Sequence, residues 1–147
     1  MGNIADTTIL SWITTEVDQA LELVRRNIAR YLSLREDPAL LKSCPEHLHQ
    51  VSGALRMVGL AGATRFCEAI EGCFESAEPG ARDARGIETL DRAVLALKEF
   101  VNDLARGQAN LPLRLYPAYR DLMRLRGRED ASEKELFFPE VHHLPGS

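Results

Sequence analysis

The stretch Asp83–Gly107, DARGIETLDRAVLALKEFVNDLARG, decides the class of fold. Ile87, Leu90, Val94, Leu97, Val101 and Leu104 recur at intervals of three and four, the spacing that lays one apolar stripe along an α-helix. Gly107 is the expected C-terminal cap, because glycine readily takes the left-handed conformation that closes a helix. The same pattern occurs three times upstream. A first helix is predicted over about 8–34, with Leu10, Ile13, Val17, Leu21, Val24, Ile28 and Tyr31 on its inner face. A second is predicted to end near Val58 and uses Leu41, Cys44, Leu48, Val51, Leu55 and Val58. Asp37 is its candidate N-cap, with Pro38 at the first helical position. Pro45 falls inside this pattern and either bends the helix or marks its true start, with Ser43 as the alternative cap. Gly59 and Gly62 bracket a break. A third helix is then predicted over about 63–76 through Phe66, Cys67, Ile70 and Phe74, followed by a turn at Glu78-Pro79-Gly80.

Four such stripes on short connections predict an all-α fold, an antiparallel four-helix bundle over residues 1–110. The spacing also suits a coiled-coil dimer, but short connections favour folding back within one chain. Residues 111–126 read as an extension with a short fifth helix packed through Leu115, Tyr119 and Leu122. Residues 127–147 are charged, lack sustained periodicity and read as a linker or tail, with Phe137-Phe138-Pro139 as a docking candidate. The chain reads as the front end of a longer protein.

Composition narrows the function. A net charge of −4 argues against a nucleic-acid binder, which needs clustered Lys and Arg to displace counterions. No apolar run approaches membrane-spanning length, and the start MGNIADTTIL lacks the pattern of a signal peptide. Cys44, Cys67 and Cys73 have no CxxC spacing, which points to a reduced, cytoplasmic setting. No Gly-rich phosphate loop, hydrolase elbow or nucleotide motif occurs, so the chain is not expected to act as an autonomous kinase or to need a cofactor.

The chemically informative residues lie on the second helix. At about 100° per residue, His49, Ser52, Gly53 and Arg56 share one side, displaced from the apolar stripe, so His49 is expected to reach water. A glycine in mid-helix costs roughly 0.5–1 kcal/mol relative to alanine. Gly53, one turn beyond His49, therefore suggests that a side chain would obstruct something, either another protein approaching the imidazole or a neighbouring helix. An exposed neutral imidazole can attack an aspartyl phosphate, and a nearby cation would offset the transferred charge.

Other constellations are weaker. His47 and His49 point apart on a helix, and Cys44 and His142-His143 complete no zinc pattern. Glu68, Glu71 and Glu75 resemble a di-iron carboxylate stripe but lack the Glu-x-x-His pairs of that chemistry, so they read as solvated charges.

His49, Gly53 and Gly59 resemble the pattern of histidine-containing phosphotransfer (HPt) domains, in which a histidine is followed by a lysine three residues on, a glycine four on and often a second glycine ten on. Position 52 is Ser where that family has Lys. The longer string HLHQVSGALRMVGLAGATRFCEAIEG, with the later SEKELFFPE, is similar to the amino-terminal HPt-like region of the chemotaxis-type hybrid histidine kinases of type IV pilus and twitching-motility systems. The likeness covers about residues 8–140. It implies a phosphorelay module in which His49 exchanges a phosphoryl group with a response-regulator receiver domain or a histidine kinase. Ser52, Gly53, Arg56 and Gly59 would then bind phosphate or partner, with Arg56 the substitute cation. Some bundles of this lineage are degenerate, and the alternative is a docking scaffold for signalling or pilus-pole proteins without phosphotransfer.

Overall fold

The computed structural model describes residues 4–34, 39–75, 83–128, 131–132 and 134–137, and the side chains among them except those of 4–10, 34 and 137. Among the described residues, seven α-helices follow in chain order: α1 (Ile4–Leu34), α2 (Ala39–Lys42), α3 (Cys44–Met57), α4 (Ala61–Glu75), α5 (Ala84–Ala105), α6 (Tyr116–Leu125) and α7 (Lys134–Phe137). A 3-10 turn, Pro112–Leu115, leads into α6. There is no strand among the described residues, and no helix there is long and apolar enough to cross a membrane.

The predicted stripes are the core. In α5 all six stripe residues are buried, joined by Ala93 and Phe100; Ile13, Val17, Leu21, Val24 and Ile28 face them from α1. Leu10, Asp37-Pro38, Glu78-Pro79-Gly80, Phe138-Pro139 and His142-His143 lie outside the described side chains or residues. α1 packs against α5 and α3, α3 against α4, and α4 against α5. Ion pairs set the direction of the α1–α5 pair. Asp18 accepts from the Asn102 amide at 2.9 Å, Lys98 reaches Glu22 at 3.3 Å, and Arg25 meets Asp91 at 3.1 Å. Numbers rise on one helix as they fall on the other, so the two run antiparallel.

Pro45 marks a helix start rather than a bend. A short α2 ends at Lys42, Ser43 takes the N-cap position, and α3 begins with Pro45 in its first turn, where a missing N–H leaves no helical hydrogen bond unmade. The Ser43 hydroxyl does not cap α3; it accepts from the Asn27 amide of α1 at 3.0 Å.

The predicted fifth helix, α6, packs through the residues its spacing indicates, and the departure from expectation lies beyond it. Leu115, Tyr119, Leu122 and Met123 belong to the same core as the long helices. Within the segment read as linker or tail, α7 forms and Leu136 is fully buried in that core. Glu135 fastens this turn by accepting from the Tyr119 hydroxyl, from Arg128 at 2.9 Å and from the Ser132 N–H at 3.1 Å. Burial alone would raise the Glu135 pKa, but these hydrogen bonds and the Arg128 charge hold it down at about 2. Gly62, expected in the break before α4, lies inside its first turn. A Cβ there would stand 2.6 Å from Pro112 Cβ and 3.0 Å from the Leu136 carbonyl oxygen, so the glycine admits the C-terminal segment.

Candidate functional site

α3 presents an outward strip of Glu46, His49, Gln50, Gly53, Arg56 and Met57, all exposed. Its inner side is Cys44, Leu48, Val51, Ser52 and Leu55. The His49 side chain is 77% exposed, as the spacing requires of an imidazole that meets a partner. Gly53 is exposed, and a Cβ built on it would find nothing within 4 Å. Close packing of a neighbouring helix therefore does not explain this glycine.

Ser52 does not share that strip. It is 2% exposed, and its hydroxyl donates to the His49 carbonyl oxygen at 2.9 Å. The 100° projection put it beside His49, but α4 packs along that edge of α3 and turns position 52 inward. Where the phosphotransfer pattern has its lysine, this chain buries a short side chain whose hydrogen bond is satisfied locally. Gly59 also leaves the site. With φ at +80° it terminates α3: its N–H donates to the Arg56 carbonyl at 3.0 Å, and the Leu60 N–H to that of Leu55 at 3.0 Å. This is the Schellman arrangement, and the left-handed φ is the reason for glycine.

Two acidic residues of α4, expected from spacing to be solvated charges, complete the face. Glu71 of α4, with a side chain only 17% exposed, places a carboxylate oxygen 3.4 Å from His49 Nδ1. Glu68 pairs with Arg56. Spacing alone carries no signal for these pairs: Glu68 and Glu71 stand about 4.5 Å apart along α4, and His49 and Arg56 about 10.5 Å apart along α3. The pairs exist only because α3 and α4 lie side by side and the long Arg56 side chain spans the difference. Arg56 thus reaches across to α4 instead of back to His49, and the strip's one cation is already neutralised.

The three cysteines stay apart from this chemistry. Cys44, Cys67 and Cys73 are free and buried; burial pushes Cys44 up to about 12, Cys73 up to about 11 and Cys67 higher still, so none offers a thiolate near neutral pH. Among the described residues no three of His, Cys, Asp and Glu converge as metal ligands.

The molecule is thus an all-helical protein with a polar, glycine-cleared strip on its third helix. Residues 7–113 match the FimL C-terminal domain family, and the chain belongs to that family. It is 22% identical over 144 residues to a curated relative, the scaffold protein FimL of Pseudomonas aeruginosa. That alignment covers 97% of this chain and 25% of the relative, so the chain spans about a quarter of the relative's length. No solved structure matches it.

Proposed function

We propose that this chain is a docking scaffold of pilus or twitching-motility signalling. In this reading its four long helices form an antiparallel, HPt-like bundle whose α3 strip binds a signalling partner without carrying phosphate. His49, Gly53 and Arg56 are the contact residues, and Glu68 and Glu71 orient two of them. The partners suited to it are receiver domains, a histidine kinase or pilus-pole proteins, engaged in the cytoplasm. Membership of the FimL C-terminal domain family and the likeness to a protein described as a scaffold support this alternative over phosphotransfer.

The observation that carries the reading is the charge around His49. A phosphoryl group brings a charge of roughly −1.5 to −2. Here it would arrive beside Glu71, with Arg56 held by Glu68 and a buried serine at position 52. A partner surface that donates hydrogen bonds meets no such penalty. One geometric feature favours the relay reading instead: Glu71 approaches the imidazole at Nδ1, 3.4 Å away, while the side chain is otherwise 77% exposed, so Nε2 is the nitrogen that a phosphoryl donor would meet.

Incubation with a phosphorylated receiver or the cognate kinase, followed by assay for acid-labile phosphate, separates the two. The scaffold reading expects no label on the wild-type chain while the partner still binds. Label that disappears in His49→Gln would overturn it in favour of the relay.

A further inference from the structure

The outward strip of α3 has a second border, toward α1, where a groove of about 440 Å³ runs between the two helices. Trp12 and Val17 line it from α1, and Val51, Ala54 and Met57 from α3. Trp12 is 66% exposed and Met57 77%, the two most exposed large apolar side chains among the described residues, and they stand on opposite lips of this one groove. Exposed aromatic and methionine side chains gathered in this way mark interaction surfaces. Gly53 lies on the α3 lip with open space where a side chain would be.

The dimensions and the charge define an occupant. The lining runs from Trp12 to Ala20 on α1 and from Gln50 to Met57 on α3, about 10–12 Å of helix at 1.5 Å per residue, or two turns of a third helix laid between them. Glu16 is the one ionisable residue in the lining, and no basic residue accompanies it. We propose that this groove receives an amphipathic helix of a partner protein, an apolar ridge seated between Trp12 and Met57 with a Lys or Arg beside it meeting Glu16. A second copy is a poorer fit, because a two-fold contact through the same groove brings two Glu16 carboxylates together with no cation in either lining. The surface is separate from the His49–Glu71 pair and stands whether or not His49 carries phosphate.

The test places photoreactive p-benzoylphenylalanine at Met57 in the full-length protein in its own cells and maps the adducts to single residues. The expected adduct lies on the apolar ridge of a helix in another protein, with Lys or Arg on its flank. The corresponding synthetic peptide then binds the purified chain. It loses about tenfold or more in affinity with Met57→Lys, and weakens with Glu16→Lys until its own Lys is changed to Glu. Both positions are solvent-facing, so unchanged circular dichroism is the control for folding. His49→Gln leaves peptide affinity unchanged, which separates failure here from failure of the scaffold reading at the α3–α4 face. An adduct to a second copy, to another segment of the same polypeptide or to no helix would overturn the proposal. So would an adduct yield no higher than from the same probe at the exposed Arg106.

Discussion

Gly53 and Gly62 sit on consecutive helices and do opposite things. At Gly62 the missing side chain is filled from within: the Pro112 ring and the Leu136 carbonyl close on α4, and the C-terminal segment joins the core. At Gly53 the missing side chain is filled by nothing in the chain. Within a helix glycine is less favourable than alanine. Only at Gly62 is that cost offset inside the molecule. The closed end is built for stability, whereas the open strip fits contact with something else.

The largest expected effect is at the closed end. Gly62→Ala drives a methyl group into a proline ring and a backbone carbonyl, neither a flexible tip, and should destabilise by about 1–3 kcal/mol in urea unfolding. An unchanged midpoint would erase the contrast between the glycines. Acid should next loosen the same end locally. The Glu135 pKa is depressed, so its stabilisation is complete above the ordinary carboxylate value of 4.5 and is lost as pH falls through about 2. The amide protons of α7 should lose hydrogen-exchange protection over that window ahead of those of α5, and Glu135→Gln should flatten the dependence.

At the open strip the sign reverses. Gly53→Ala should stabilise the free protein by roughly 0.5–1 kcal/mol, seen as a rise in Tm, while weakening partner binding; a fall in Tm would mean that the glycine is needed by the fold itself. The smallest effect is His49→Gln, which alters an exposed side chain and should stay within about 0.5 kcal/mol of wild type. A larger loss would show that the Glu71 contact holds α3 and α4 together.

Much of the fold was legible because burial follows periodicity. The α5 stripe, the inner face of α1 and the capping role of Gly107 can be read from spacing, since each depends on residues within one helix. The α2–α3 break was readable only as a choice between bend and start, because Pro45 is compatible with both until Ser43 is committed to Asn27. α7 escaped detection for a different reason. Four residues carry no period, and Glu135 is held beside the core by Tyr119, sixteen residues away, and by Arg128 across a non-helical connection, contacts that helical spacing does not report.

The site divides along the same line. The sequence by itself determined that His49, Gly53 and Arg56 share an outward strip of one helix and that no lysine follows the histidine by three, because helical rotation is a local property. Only the tertiary structure decided that α4 turns Ser52 inward, that Glu71 and Glu68 engage His49 and Arg56, and that Gly53 faces open space while Gly62 does not. Each of those outcomes depends on which helix lies alongside, and a side chain's neighbours across a helix interface are set by packing of the whole core. For His49 the consequence is specific: the sequence puts an imidazole within a partner's reach, and the packing sets the Glu71 carboxylate beside it in place of the expected cation.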